Sequence, residues 1–467
     1  MDFFKIKLDN NKLILIYTIF ITCIWYLIFG IDQSNEPYIW DDLHFFREYS
    51  PVELKNIWIG NWDPDEIETP SYRPIAILYY HFLYLIFEEN TFLLRHFVIL
   101  ESLILISLSS LLLNNLNFNK NSIFVFISLI IFSKIYITLV SWFTISVLIF
   151  AYIFTISSIL FFLNSKDNLL YFLSIIFSTI AIFIREELYI LPILLFLIYF
   201  YKYEINTKNF FNCLLKVFPF ILIVLLHMTL RREFVPEADH LNFSMFSIKY
   251  GENFLSVGGL TKALKSSFLP MGYLSSSYST LFQSVLAWIW IILIFFFITI
   301  LFFKTQRSKK NFKKIFILFF IIFTCCLPHL TVARSFGIYL SSLFGFALIS
   351  NLISEIFPFI VKKSEKLNFL FSFLVISILL SGIVGGIYRS IEHAKSMSQY
   401  SISVIKLDAL FIYGYKNANT NVTIPQKRYL SKEQHLKKLG IYDYHWGDKI
   451  NKKSNKIIKN HYDVLSF

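Results

Sequence analysis

Long apolar segments separated by short polar breaks form the dominant pattern of this chain. Leu, Ile and Phe recur in blocks of roughly 15 to 22 residues, and a membrane-spanning helix needs about 20 such residues. The pattern therefore predicts an all-α fold, a polytopic transmembrane helix bundle of about 11–12 spans. We also expect a layer of loops and juxtamembrane helices on its outer face. The first apolar segment, Leu13 to Phe29, has no small-residue cleavage site after it, which favours an uncleaved first span.

Composition agrees with this class of protein. Of the 467 residues, 56% are hydrophobic and only 16% are charged, and the mean hydropathy is +0.59. A soluble domain of this length would need far more polar surface. The net charge of +12 does not indicate a nucleic-acid partner, because a tight block of the basic residues lies between two apolar segments at 304–314.

That basic block orients the predicted spans. Under the positive-inside rule, 304–314 is cytoplasmic, and the spans at about 315–327 and 336–353 follow it. We expect the transmembrane domain to cover 1–388, with 31–73 as a first outer catalytic loop and 231–280 as a large outer loop. The remaining residues, 389–467, are a basic tail or small domain on the non-cytoplasmic side.

Three apolar stretches after the first outer loop create a parity problem. The stretches are 75–87, 97–113 and 122–133, and only two can cross if both flanking loops are outside. The first and third are shorter than the length of about 20 residues that a full span needs. One of these two is predicted to be a juxtamembrane or re-entrant helix packed against protein.

Asp41 and Asp42 are the most informative polar residues. They follow the first span and are flanked by Trp40 and by Phe45 and Phe46. Carboxylates beside a bilayer cost free energy unless they are solvated, paired or used. The pair therefore predicts a site that holds a base or a cation against a lipid-borne substrate. The structural alternative is an acidic loop with Asp41 as a helix N-cap.

Further polar clusters fall on the same predicted face. They include Tyr72 and Arg73 before Pro74, the triplet beginning at Arg185, and a segment ending at Arg334. Each has a structural alternative: a helix start for Arg73, a solvated hairpin tip for the triplet, and an interfacial cation for Arg334. Because several polar clusters fall on the same predicted face, the sequence favours a substrate-binding or catalytic site there.

Metal and disulfide chemistry have little support in the sequence. The four cysteines all lie in apolar segments, and no CxxC or His/Cys spacing typical of a metal site is present. The sequence assigns no definite cofactor, and a divalent metal held by Asp42 stays an open alternative.

The order of these motifs resembles the C-type (GT-C) superfamily of integral membrane glycosyltransferases. It is most similar to the protein O-mannosyltransferases, the aminoarabinose-to-lipid A transferases and the transmembrane-tetratricopeptide mannosyltransferases. The resemblance covers roughly residues 13–353, but the acid that many members carry near Trp142 and a tetratricopeptide array are both missing. The motifs that carry the resemblance are 40–47, 72–81, 92–95, 184–192 and, more loosely, 333–339.

The resemblance implies an inverting glycosyltransferase with a polyprenyl-phosphate sugar donor and a lipid, glycan or protein acceptor. Asp41 would be the general base, and Asp42 would position the acceptor or a metal. The arginines would meet the charge of the leaving phosphate. The substrate-binding residues implied in this way are Tyr72, Arg73, Arg185, Glu186, Arg334 and Tyr339.

Two other classes stay open, a transporter or flippase for a lipid-linked saccharide and a catalytically inactive relative that binds one. A transporter predicts an internal repeat and charges deep within spans. We find no repeat, and Glu101 and His227 are the notable charges within predicted spans. Richness in Lys, Asn, Ile and Phe suggests an AT-rich genome and hence a bacterial inner membrane as the location.

Overall fold

The computed structural model of the chain describes residues 10–30, 45–46, 48–62, 71–88, 90–165, 168–203, 206–236, 263–264, 266–269, 309–329 and 338–361. Every regular element in these residues is helical. The all-α prediction is therefore confirmed. Asp41, Asp42, Arg334 and the tail 389–467 lie outside the described residues.

Residues 10–163 form seven helices within the described ranges. A π-helical turn, Tyr26–Gly30, extends the first of them. The seven are α1 (Asn10–Trp25), α2 (Pro51–Ile59), α3 (Pro74–Phe87), α4 (Thr91–Asn115), α5 (Lys120–Ile131), α6 (Lys134–Ser141) and α7 (Phe143–Leu163).

Five further helices follow in the part of the chain that the structure describes. A 3₁₀ turn, Glu186–Ile190, joins α8 to α9, and another, Leu327–His329, ends α11. The helices are α8 (Asn168–Ile184), α9 (Leu191–Lys202), α10 (Thr207–Phe234), α11 (Lys309–Cys326) and α12 (Tyr339–Val361). The expected spans at 315–327 and 336–353 thus correspond to α11 and α12.

Local sequence sets many of the helix starts. Ser50 caps α2 in a reciprocal capping box with Glu53, and a proline follows it at the first helical position. The side chains of Asn90, Asn119 and Ser133 accept the backbone hydrogen bonds that open α4, α5 and α6. The boundaries of these helices are therefore encoded within a few residues.

Among the residues that the structure describes, four helices are long and apolar enough to cross a membrane. They are the segments Asn11–Ile28, Phe92–Asn115, Phe143–Leu163 and Thr207–Phe234. A fifth crossing is possible where α5 and α6 meet, with a bend of 54° between them. The bend has a local cause, because α5 ends at its C-cap Phe132 and the next residue, Ser133, caps α6. One of the two short stretches in the parity problem, 122–133, thus belongs to a broken span or a re-entrant loop. The other forms α3, which has 14 residues.

The centre of the bundle is α7, which packs along α8 and α4, while α5 packs against α12. The outward faces of α1 and α10 are different, because they expose large apolar side chains such as Phe20, Leu215 and Phe218. Such continuous exposed apolar faces are typical of helices that face lipid.

The two ends of the bundle carry different polar residues. At one end, Lys202 donates to Asn115, and the Asn115 amide reaches Asn164 at 3.1 Å. Lys313 donates to the Tyr203 carbonyl at the same end, at 3.4 Å. Lys313 belongs to the basic block 304–314 that the positive-inside rule assigns to the cytoplasm. The opposite end carries Arg73 and Arg185, and the side of the membrane on which each end lies stays a prediction.

Candidate functional site

The structure brings four of the predicted substrate-binding residues together at one end of the bundle. They lie where the segment 71–73 meets the turn between α8 and α9. A fifth, Tyr339, lies deeper in the bundle, and the remaining three predicted residues are outside the described residues. The four that meet are Tyr72, Arg73, Arg185 and Glu186.

An ion pair joins these two segments. The Nε of Arg73 lies 2.5 Å from Oε2 of Glu186, and the backbone N–H of Tyr72 donates to Oε1 of the same carboxylate at 3.3 Å. Only 16% of the Arg73 side chain and 7% of the Glu186 side chain are exposed to solvent. Local sequence places both partners, since Pro74 opens α3 directly after Arg73 and α8 ends one residue before Arg185.

The charges around Glu186 favour its ionised form. Burial alone would raise the pKa of this carboxyl, but Arg73, His227 and Arg231 outweigh burial and lower it to about 2. The pKa of Tyr189, in the same turn, is raised by burial and by the negative charge of Glu186. The turn therefore presents a fixed carboxylate, and the tyrosine beside it stays neutral.

Residues 58–62 and 71–73 form a compact unit around the ion pair. The backbone N–H of Trp62 donates to the Ser71 carbonyl at 3.0 Å, and the Tyr72 hydroxyl donates to the Trp58 carbonyl at 3.1 Å. The Arg73 guanidinium lies 5.0 Å from the centroid of the Trp62 ring, within cation–π range. Arg73 is thus held by a carboxylate and by an aromatic face.

Aromatic packing connects this unit to the residues that follow the acidic pair. Phe45 stacks on Trp62 with a centroid separation of 4.7 Å and on Tyr80 at 5.6 Å. Phe46 packs edge-on against Phe143 at 4.8 Å. Phe45 is three residues beyond Asp42 in the sequence. The chain is therefore anchored close to the acidic pair, although the pair itself lies outside the described residues.

Arg185 has a different environment from Arg73. Its Nε lies 3.8 Å from Oε2 of Glu187, beyond hydrogen-bond length, and this buried Nε makes no hydrogen bond to the described residues. A small pocket opens beside it. Apolar walls and a few polar groups line this pocket, including Tyr152, Arg185, Glu187, Cys325, Pro328 and Leu340.

Tyr339 lies behind this pocket. Its ring stacks on Tyr152 at 5.2 Å, and its hydroxyl hydrogen-bonds with Ser109 at 3.0 Å. The Tyr339 side chain is fully buried. It therefore supports a residue of the pocket wall from within the bundle.

Several residues of this region could not be assigned from the sequence. His227 was visible as a charge within a span, and its Nδ1 now lies 2.6 Å from the Tyr189 hydroxyl, with the Tyr72 ring at 5.3 Å. Trp62 and Tyr152 gave no signal, because aromatic residues occur throughout this chain. Their contacts depend on chain segments that are distant in sequence.

Glu101, the other charge noted within a span, lies apart from this region. It is buried, and the Tyr79 hydroxyl donates to its Oε2 at 2.6 Å. Within the described ranges, no group of three or more His, Cys, Asp or Glu side chains could hold a metal ion. That finding does not extend to Asp41 and Asp42.

No family model and no curated protein sequence matches this chain. Two crystal structures of an Archaeoglobus fulgidus oligosaccharyltransferase are similar to it in structure at 12% identity. One, tethered to an acceptor peptide with an NVT sequon, has a TM-score of 0.48 and covers 85% of this chain and 57% of that one. The other, in complex with zinc and sulfate, has a TM-score of 0.46 and covers 82% and 53%. The chain spans just over half the length of these proteins.

Proposed function

We propose that this chain is a membrane glycosyltransferase that moves a sugar from a polyprenyl-phosphate donor to an acceptor on the non-cytoplasmic face. The observation that carries the proposal is the pocket beside Arg185, which combines a buried cation with unused hydrogen-bonding capacity, the carboxylate of Glu187 and apolar walls. We infer that the Arg185 N–H donates to an anionic group, such as the phosphate of a lipid-linked sugar.

The proposed reaction needs one base and one cation. The acceptor atom attacks the anomeric carbon of the sugar, its bond to carbon forms, and the bond from that carbon to the phosphate oxygen breaks. Asp41 takes the proton of the acceptor, and the polyprenyl phosphate leaves with the bonding electrons. Attack from the face opposite the phosphate inverts the anomeric configuration. Asp42 positions the acceptor, or a divalent metal if one is required.

Arg73 and Arg185, the two candidate substrate-binding arginines that the structure describes, differ in what they can offer to the phosphate. Arg73 is engaged by Glu186, while the Arg185 Nε is free of hydrogen bonds within the described residues. We therefore assign the main phosphate contact to Arg185 and a supporting charge to Arg73, with Arg334 as a further cation. A guanidinium can bind two phosphate oxygens at once, which a single ammonium cannot reproduce.

The remaining assignments follow from position. Tyr72 and Glu186 shape the edge of the site, and Tyr339 supports the pocket wall through Tyr152. The proposed setting is the cell envelope, with the chain as a multi-pass protein of a bacterial inner membrane. The acceptor belongs to one of three classes: lipid, glycan or protein.

Purified protein in detergent, with a radiolabelled polyprenyl-phosphate sugar, tests this function. Asp41→Asn is expected to lower turnover by about 10²- to 10⁴-fold, the usual contribution of a general base. Donor binding should persist in this variant, because the phosphate site is intact. Arg232→Gln, at an exposed position of α10, is a control for general damage and should keep normal turnover.

Other results would indicate another function. Undiminished turnover in Asp41→Asn would remove the assignment of the base. Wild-type protein that binds the donor but transfers no sugar to lipid, glycan or peptide acceptors would favour an inactive binding protein. Movement of the intact donor across proteoliposome membranes without transfer would favour a flippase.

A further inference from the structure

We propose that Glu186 is a positioning residue for the catalytic region: through Arg73 and Trp62 it fixes Phe45, the residue three positions after Asp42. This inference rests on the proposed function, in which Asp41 is the base. Glu186 does not contact the acceptor or donor in this scheme. Its carboxylate ties the segment 71–73 to the turn between α8 and α9.

The first step of the connection is the contact of the Glu186 carboxylate with residues 72 and 73. Oε2 of Glu186 pairs with Arg73 and Oε1 accepts from the Tyr72 backbone, so both oxygens are directed at the same short segment. The side chain is almost fully buried. Because the carboxylate is buried and each of its oxygens is bonded to residue 72 or 73, it fixes the position of these two residues.

The second step runs through aromatic side chains. The Arg73 guanidinium covers Trp62, and Trp62 stacks on Phe45. Phe45 is held from the other side by Tyr80 and by the Tyr49 hydroxyl, which donates to its carbonyl at 2.8 Å. Phe45 is also only three residues beyond Asp42. A shift of the Arg73 side chain therefore changes the surface on which this segment rests.

The third step concerns the anchor itself. Glu186 lies in a 3₁₀ turn that continues α8, where the Arg185 N–H donates to the Ala181 carbonyl and the Leu188 N–H to the Arg185 carbonyl. α8 packs along α7, the central helix. The turn is thus part of the rigid bundle, whereas 58–62 and 71–73 lie outside its long helices. A residue on a rigid element is well suited to orient one on a loop.

Steady-state kinetics of Glu186→Gln, Arg73→Gln and the double variant test the connection. Glu186→Gln should lower kcat by about 10- to 100-fold, because a displacement of about 1 Å at a reacting group has effects of this size. KM for the donor should change less than about threefold. Because Glu186 acts through Arg73, the double variant should be no worse than Arg73→Gln alone.

Controls separate positioning from general damage. Glu233→Gln makes the same chemical change at an exposed site of α10 and should leave kcat unchanged. If Glu186→Gln does not fold, Arg73→Lys tests the same link, because Lys keeps the charge but loses the planar fork. It should lower kcat less than Arg73→Gln does. Deuterium uptake by peptides within 48–62 should rise in Glu186→Gln while uptake within α7 stays constant.

Three results would overturn the inference: unchanged kcat in Glu186→Gln, additive losses in the double variant, or unchanged deuterium uptake within 48–62. A large rise in donor KM at constant kcat would instead make Glu186 a binding residue. Failure of the proposed function looks different, since wild-type protein would then transfer no sugar. The exchange measurement would still test the link from Glu186 to Trp62.

Discussion

Glu186 should make the free energy of unfolding depend on pH in the acidic range. In the folded chain its pKa is about 2, against an ordinary value of 4.5, because Arg73, His227 and Arg231 stabilise the ionised carboxylate despite burial. A lowered pKa means that the ionised form stabilises the fold above about pH 4.5. That stabilisation is lost as the pH falls toward 2.

The size of this stabilisation follows from the difference between the two pKa values. Each pKa unit corresponds to about 1.4 kcal/mol, so the ionised carboxylate contributes ~3 kcal/mol near neutral pH. An independent expectation is similar, since removal of one partner from a buried ion pair typically costs about 3–5 kcal/mol. Glu186→Gln removes the charge with little change in shape. We therefore expect this variant to be ~3 kcal/mol less stable than wild type at pH 7.

The difference in unfolding free energy between wild type and Glu186→Gln is measured in one detergent from pH 7 to pH 2.5. The gap between them should stay near its full size down to about pH 5 and then shrink steadily, since wild-type Glu186 becomes protonated and resembles Gln. Glu233→Gln should follow wild type at every pH. A gap that stays constant to pH 2.5, or one below ~1 kcal/mol at pH 7, would show that the Arg73 pair does not stabilise the fold.

Three other predictions concern packing, the donor site and topology. Gly345→Ala should lower stability by about 1–3 kcal/mol in a thermal unfolding assay, because a Cβ there would collide with the backbone of Ser267; equal stability would mean that this contact is absent. Arg185→Gln should weaken binding of a radiolabelled polyprenyl-phosphate donor by at least about tenfold, and Arg185→Lys should restore part of it; unchanged affinity with lost thermal stability would make Arg185 structural. Single cysteines are introduced for labelling at Ser50, Ser256 and Ser431. Each should react with an impermeant thiol reagent only from the non-cytoplasmic side, and labelling of any one exclusively from the cytoplasmic side would contradict the predicted topology.

The sequence by itself determined the class of the fold. Apolar length is a local property, and it correctly predicted an all-α fold with helices long enough to cross a membrane. Helix starts at Ser50, Asn90 and Ser133 are equally local, because a cap bonds to backbone groups two or three residues away.

Only the tertiary structure decided which polar residues are partners. The triplet at 185–187 offered two acids beside one arginine, and the sequence favoured neither Glu186 nor Glu187 as the partner of Arg73 or Arg185. The 3₁₀ turn after α8 directs Glu186 toward the segment 71–73 and leaves Glu187 beside Arg185. The contacting residues are separated by 113 positions along the chain. Their pairing depends on how α3 and α8 pack, which hydrophobic periodicity does not specify.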